Sequence, residues 1–231
     1  MIKPFQILLS LLYPLRCPFC GKIVNETADC KSCTATLPFV GGDLCPRCGR
    51  ERAYCCCAGS NFAFDRCVAP FYYEGVVRRG IINCKFHAKQ ASASAFAHYT
   101  AQAVQSAYNK EQFDFVAFVP LTRAEYCKRG FNQSELFARA LARALSLPCR
   151  PVLQKPHDVA PQRSLPASGR WTNVSGAFIS PSRLDGARVL LADDIVTTGA
   201  TLSDCAHALK AAGASRVCCA VIACVREHRV Y

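Results

Sequence analysis

Two adjacent carboxylates, Asp193 and Asp194, interrupt the apolar run Val189-Leu190-Leu191-Ala192, and Thr197, Thr198, Gly199, Ala200 and Thr201 follow within a few positions. A short, continuously apolar run is the pattern of a strand covered on both faces, and the carboxyl ends of such strands are where open α/β sheets bind ligands. Hydroxyls, a glycine that lets backbone come close and the amides of a helix start make a phosphate cradle. The two aspartates suit another part of the same ligand, because paired carboxylates accept diol hydroxyls or hold a hydrated Mg2+. The stretch reads as a site for a sugar carrying both a phosphate and free hydroxyls. A capped turn between a core strand and a helix is the simpler alternative, which a lone Asp-Asp would favour. The nucleotide signatures G-x-x-x-x-G-K-[ST] and G-x-G-x-x-G do not occur.

A second chemistry lies near the amino end. Of 17 cysteines, nine fall between Cys17 and Cys57, and the other eight are scattered among apolar neighbours. Cys17-x-x-Cys20, Cys30-x-x-Cys33 and Cys45-x-x-Cys48 each point two thiolates at one centre, and four thiolates close a tetrahedral shell around Zn2+. The first two pairs satisfy one zinc. Such a shell has no open position for water, so its role is structural: a small ribbon folds on its metal. Cys45 and Cys48 need two more ligands, and Cys55 with Cys57 can supply them as C-x-C. One zinc plus spare thiols stands as the alternative to two. The scattered cysteines read as small buried hydrophobes. A disulfide framework is the competing reading of the whole set, but the C-x-x-C spacings and the enzyme-like remainder favour a reduced, cytosolic protein.

Formal net charge is +12, and the segment from Pro120 to Ser175 carries nine Lys or Arg against three acids. An anionic ligand follows naturally, and nucleic acid is compatible; a basic surface kept for solubility is the plainer account of most of these charges. Leu121 to Gln133 reads as a loop after a strand, and its Arg123, Lys128 and Arg129 suit a diphosphate. Lys85, followed by Phe86, is a further candidate for the anion. Residues 154–176 lack periodicity and contain three prolines. They read as a mobile lid in which Gln162, Arg163 and Arg170 close over an anion, or as a plain surface connection. Trp171 in that segment either stacks on a base or packs on the domain.

Strands that would hold these groups are expected at Cys67–Tyr73, Phe113–Val119, Ala177–Ile179, Arg188–Ala192 and Arg216–Val225. Helices are expected at Gly75–His87, Ala91–Tyr108, Gln133–Leu147 and Ala200–Ala212, the last stopped by Gly213. Strands alternating with helices argue for an α/β domain with a parallel sheet. The apolar stretch from Ile2 to Leu15 contains Pro4 and Pro14 and is shorter than the roughly 20 residues that span a bilayer. It reads as a short helix over Phe5–Tyr13 and not as a signal peptide or membrane span. The expected organisation is an N-terminal helix (1–16), a zinc-ribbon domain (17–60) and an α/β domain (61–231).

Leu190 to Thr201 resembles the phosphoribosyl pyrophosphate (PRPP) motif of type I phosphoribosyltransferases. With the three C-x-x-C pairs, Tyr73-Glu-Gly75, Lys85-Phe86, Val119-Pro-Leu121, Arg129-Gly-Phe-Asn-Gln133 and Arg170-x-x-Asn173, the chain resembles the ComF family, which includes GntX-type proteins. That resemblance implies a parallel-sheet type I phosphoribosyltransferase fold joined to a small N-terminal double zinc ribbon. It also implies Asp193 and Asp194 at the ribose hydroxyls and Thr197 to Thr201 around the 5-phosphate, with Mg2+ accompanying PRPP. Family members are associated with natural competence, which implies single-stranded DNA and the DNA-uptake machinery as partners. Phosphoribosyl transfer to an acceptor is the alternative activity. Cys55-Cys-Cys57 departs from the family pattern, where a fourth C-x-x-C is expected.

Overall fold

Residues 16–24, 30–55, 57, 58, 60–87, 90–109, 111–156 and 176–226 are described by the computed structural model. Five strands form one parallel sheet: β1 (Arg66–Val68), β2 (Phe71–Tyr72), β3 (Phe115–Phe118), β4 (Arg188–Val196) and β5 (Arg216–Cys224). Their order is β1-β5-β4-β3, with β2 also pairing β5. Helices α1 (Lys31–Thr34), α2 (Gly75–His87), α3 (Gln90–Ala107), α4 (Arg123–Arg129), α5 (Gln133–Ala144) and α6 (Ala200–Ala211) complete the described elements, with one 3-10 turn at Arg52–Tyr54.

Strand alternation sorts the core into two faces. Val116, Phe118, Leu190, Ala192, Cys218 and Ala220 join one buried cluster with residues of α3 and α5. Phe115, Ala117, Val189, Leu191, Val217 and Cys219 join a second cluster with residues of α6. Both faces are covered, and Val189–Ala192 of β4 and Val217–Cys224 of β5 are therefore continuously apolar, as the run at Val189 predicts.

Several elements differ from expectation for local reasons. Cys67–Tyr73 is two short strands, because Ala69-Pro70 interrupts pairing with β5 and proline has no N–H to donate. Ala177–Ile179 is reduced to a single antiparallel bridge between Ile179 and Gln154. Leu121–Gln133 is not a loop: Thr122 and Glu125 form a reciprocal capping box that starts α4, and Gly130 ends it at φ 76°. The central strand also runs past the acidic pair. Pairing with β3 stops at Ala192, whereas pairing with β5 continues to Val196. The two aspartates thus sit where one neighbour strand has ended and the other persists. The expected helix over Phe5–Tyr13 and most of the expected lid, residues 157–175, lie outside the described residues.

Candidate ligand site and metal centres

The step in the sheet edge beyond Ala192 opens a place for Asp193 and Asp194, and α5 closes one side of it. Asp193 is buried, with Oδ1 accepting from Ser134 Oγ at 2.6 Å and from the Asp194 backbone N–H at 2.9 Å. Ser134 is placed by the segment before it. Asn132 caps α5 by accepting from the N–H groups of Ser134 and Glu135, and its Nδ2 donates to Val119 O at the end of β3, 3.0 Å away. The string Arg129-Gly-Phe-Asn-Gln133 is therefore a helix stop followed directly by a helix start, tied to one strand end and feeding a hydroxyl to the next. Asp194 is half-buried and lines a narrow cleft together with Phe131, Gln133, Leu136, Ile81 and Phe96. Apart from Asp194 and Gln133 that lining is almost wholly apolar.

The phosphate-loop candidates follow in the same strand. Thr197, Thr198 and Thr201 are exposed, and Gly199 sits at the amino end of α6 with φ 84°. Gly199 provides no side-chain cap, while Thr198 Oγ1 accepts from the Ala200 N–H at 3.2 Å. A loop of hydroxyls over a helix start without an acidic first turn favours an anion.

The basic candidates divide. Arg123, Lys128 and Arg129 are all exposed on α4, and Arg129 Nη1 donates to Gln133 Oε1 at 3.3 Å, which brings it to the rim of the Asp194 cleft. Lys155 instead pairs with Glu125, 3.2 Å away, on the far side of the same helix start. Lys85 lies in α2, and Arg163, Arg170 and Trp171 lie outside the described residues. The close of the expected lid is anchored, since buried Asp204 of α6 accepts from the N–H groups of Gly176 and Ala177.

Two four-cysteine clusters form in the ribbon. Cys17, Cys20, Cys30 and Cys33 make one, and Cys45, Cys48, Cys55 and Cys57 make the other, with all ligand atoms of each within 4.8 Å of one another. A regular tetrahedron with Zn–S of about 2.3 Å has S–S edges of about 3.8 Å. Cys20–Cys30 at 3.6 Å, Cys45–Cys57 at 3.7 Å and Cys48–Cys55 at 3.8 Å fit that shell. The C-x-C pair thus closes the second cluster as well as a C-x-x-C closes the first. Ser32, hydrogen-bonded to Cys30, together with the Cys33 backbone, lowers the Cys30 thiol to about 6, whereas burial pushes Cys33 well above the usual thiol range. One ligand is ready as a thiolate, and the other needs the cation to release its proton.

Sequence reasoning missed Ser134, which the helical stripe hid as an ordinary polar position. It also missed Arg50, a buried arginine of the second knuckle; a basic residue directly after Cys48-Gly49 was the only available signal.

A parallel sheet with an acidic pair at a strand step and a threonine loop opening a helix defines a phosphoribosyltransferase-type domain, here attached to a ribbon of two cysteine clusters. Comparison with known proteins agrees on both parts: the phosphoribosyl transferase domain family matches residues 85–230 and the double zinc ribbon domain family matches residues 8–68. The chain is 30% identical over 185 residues to DNA utilization protein YhgH of Escherichia coli O6:H1, covering 75% of this chain and 81% of that protein. It is 27% identical over 208 residues to Competence protein F of Haemophilus influenzae, covering 87% and 86%. Competence protein ComFC of Streptococcus pneumoniae is 27% identical over 198 residues, covering 84% and 86%. The chain belongs to the ComF family of phosphoribosyltransferase-domain proteins with a double zinc ribbon.

Proposed function

We propose that this chain is a ComF-type competence and DNA-handling protein whose α/β domain binds Mg-PRPP and whose basic surface contacts single-stranded DNA during natural transformation. The observation that carries the ligand half is the oriented pair: Asp193 locked by Ser134 and Asp194 turned to the cleft, one strand end away from a hydroxyl-rich helix start. Asp193 and Asp194 take the ribose hydroxyls, and the backbone and hydroxyls of residues 197–201 take the 5-phosphate. Carboxylate oxygens and ligand phosphates are the donors a hard cation prefers, and Mg2+ supplies charge neutralisation for the diphosphate. Arg129, Arg123 and Lys128 add positive charge beside the cleft. The DNA half rests on this basic helix and on relatives named for competence and DNA utilization. We place the chain in a reduced, cytosolic setting, where cysteine pairs at this spacing hold zinc. Among the described residues no helix is long and apolar enough to cross a membrane.

Calorimetric titration of reduced, zinc-loaded protein with Mg-PRPP tests the ligand reading, with binding expected for the parent and lost in Asp194→Asn. No heat from the parent sinks it. For DNA, anisotropy of a labelled single strand should show affinity that falls with salt and with neutralisation of Arg123, Lys128 and Arg129. Affinity indifferent to both would remove the DNA half. Active phosphoribosyl transfer is the second reading, favoured by the apolar side chains beside Asp194, against which an acceptor would rest. Pyrophosphate release that depends on an acceptor and on Asp194 is its test.

A further inference from the structure

Arg50 follows the second zinc knuckle, Cys45-Pro-Arg-Cys48-Gly49, and is 1% exposed. Its guanidinium leaves the ribbon entirely. Nε donates to Val225 O at 3.1 Å, and Nη2 donates to Val196 O at 3.3 Å and to Thr197 O. Those carbonyls belong to the ends of β5 and β4 and to the first residue of the candidate phosphate loop. A second contact follows the same route. Arg47, inside the knuckle, donates from Nη2 to Phe62 O at 2.7 Å, and the Phe62 ring packs on Gly199, where an added Cβ would lie 2.9 Å from it. The knuckle is itself pressed on the sheet: a Cβ on Gly49 would meet Cys67 O at 2.3 Å, and Cys67 N–H donates to Arg47 O at 2.8 Å.

Burying a cation is costly unless polar groups receive it, and here the receiving groups are main-chain carbonyls at the turn that must hold its shape to bind an anion. A planar guanidinium fixes several carbonyls at defined angles, which an ammonium on a flexible stem cannot do. The knuckle is in turn held by Cys45 N–H donating to Arg50 O at 2.7 Å and by the four thiols around it. We infer that Arg50 is a positioning residue through which the second zinc knuckle sets the conformation of the phosphate loop at residues 197–201, so that ligand affinity depends on the integrity of that metal site. Arg50 touches no ligand in this scheme. Its role rests on the reading of residues 197–201 as the phosphate cradle, yet its effect on the loop precedes any ligand.

The test uses full-length, zinc-loaded protein and two separate readouts. Amide hydrogen exchange at the bonded N–H groups that report on this turn (Ala200 to Thr198 Oγ1, Ser203 to Gly199 O and Val225 to Val196 O), measured without ligand, should speed up by about tenfold or more in Arg50→Gln, and by less in Arg50→Lys, as expected when charge-assisted hydrogen bonds are lost. Zinc content should stay at the parent level in both. Cys57→Ser, which opens the second cluster, should accelerate exchange at the same amides, whereas Cys20→Ser in the first cluster should not. Mg-PRPP titration of the same proteins should then show affinity falling about tenfold in Arg50→Gln, roughly 1.4 kcal/mol. Unchanged exchange at Ala200, Ser203 and Val225 in Arg50→Gln with both zincs retained overturns the inference, whether or not PRPP binds. If exchange accelerates while the parent gives no heat with Mg-PRPP, the positioning role stands and the ligand reading falls. Should Arg50→Gln lose zinc or fail to fold, Arg50→Lys takes its place, because it keeps the buried charge while removing the planar fork; unchanged exchange there with both zincs retained also counts against the inference.

Discussion

In the ribbon, eight cysteines stand in two sets of four with sulfur atoms at tetrahedral spacing; in the α/β body, Cys205, Cys218, Cys219 and Cys224 lie fully buried along α6 and β5. The side chain is the same and the environments are opposite. Burial in apolar surroundings pushes the thiols of Cys205 and Cys219 well above their usual range and Cys218 and Cys224 up to about 12, so these groups stay neutral and pack like small hydrophobes. Ribbon cysteines are aimed in pairs at one point, Cys17 with Cys20 and Cys45 with Cys48 by turns holding Pro and Gly, Cys30 with Cys33 by the start of α1, and Cys55 with Cys57 after a 3-10 turn. The body is held by apolar burial on two faces of a sheet, and the ribbon by its sulfur clusters together with what it inserts into the body. Phe19, inside the first knuckle, is such an insertion: it is fully buried, with its ring edge-on to Phe96 at 5.4 Å, and α2 needs Gly80 to pass Pro18 and Phe19.

The largest effect that separates the two modes comes from Cys33→Ser. Removing one thiolate should release the first zinc and with it on the order of 10 kcal/mol of metal-coupled folding energy in the ribbon. Metal analysis should find one zinc per chain against two in the parent, and exchange should rise across residues 16–37. Leu191→Ala should do the reverse. It empties a fully buried site between β4 and α6, at a cost of about 2–5 kcal/mol in denaturant unfolding, with both zincs retained in the native state. Equal loss of zinc in the two variants would show that ribbon and body are one cooperative unit, and the contrast would have to be abandoned.

What could be read in advance follows the same division. C-x-x-C spacing is local geometry and marks three of the cysteine pairs, whereas spacing alone leaves the Cys55 and Cys57 closure open beside one zinc plus spare thiols. Strand-sized apolar runs and helical stripes are also local, and they placed β3, β4, β5, α2, α3, α5 and α6 within a few residues. Long-range placement is what the sequence concealed. Ser134 meets Asp193 across 59 positions, and Arg50 meets Thr197 across 147. No periodicity connects such pairs. The stretch before α5 differs from expectation for another reason: the capping box of Thr122 and Glu125 is a helix signal, but the basic residues beside it carry the pattern of an anion loop. The run at Val189 also promised a strand ending at the aspartates, and only the unequal lengths of β3 and β5 explain why pairing continues on one side.

A smaller effect is expected where neither metal nor core burial is decisive. Asn132 is buried and joins β3 to α5 through one donated and two accepted hydrogen bonds. Asn132→Ala should cost about 2 kcal/mol, as loss of a cap plus an orphaned carbonyl. It should also weaken Mg-PRPP binding, because Ser134 would no longer be aimed at Asp193. Asn132→Asp keeps the cap but replaces the donor to Val119 O by an acceptor, so it should recover part of the stability and little of the binding. A variant that lost stability with undiminished affinity would make Asn132 part of the scaffold only.

The smallest effect lies at the opposite edge of the sheet. Glu111 receives two hydrogen bonds from Arg216 at the start of β5, both 2.7 Å, with Arg66 of β1 3.6 Å away. Arg216 first, and then Arg66, hold the Glu111 carboxyl below the usual carboxylate range against the opposing pull of burial. A carboxyl lowered in the folded state stabilises at pH values above its unfolded value of about 4.3, and the contribution is lost as pH falls through the folded value. Arg216 is 41% exposed, so solvent screens the pair and the gain is at most about 1 kcal/mol. Acid titration of the parent should show zinc leaving the ribbon as its thiolates take protons, followed at lower pH by loss of the body. Glu111→Gln should lower body stability at neutral pH by that small amount and flatten its decline below pH of about 4, leaving zinc release unmoved. Because this pair ties the amino ends of β1 and β5, far from the carboxyl edge that carries Asp193 and Asp194, ligand affinity should be the same in both proteins. A change in affinity would mean that strain travels the length of the sheet, and the division between the stabilising edge and the binding edge would need to be redrawn.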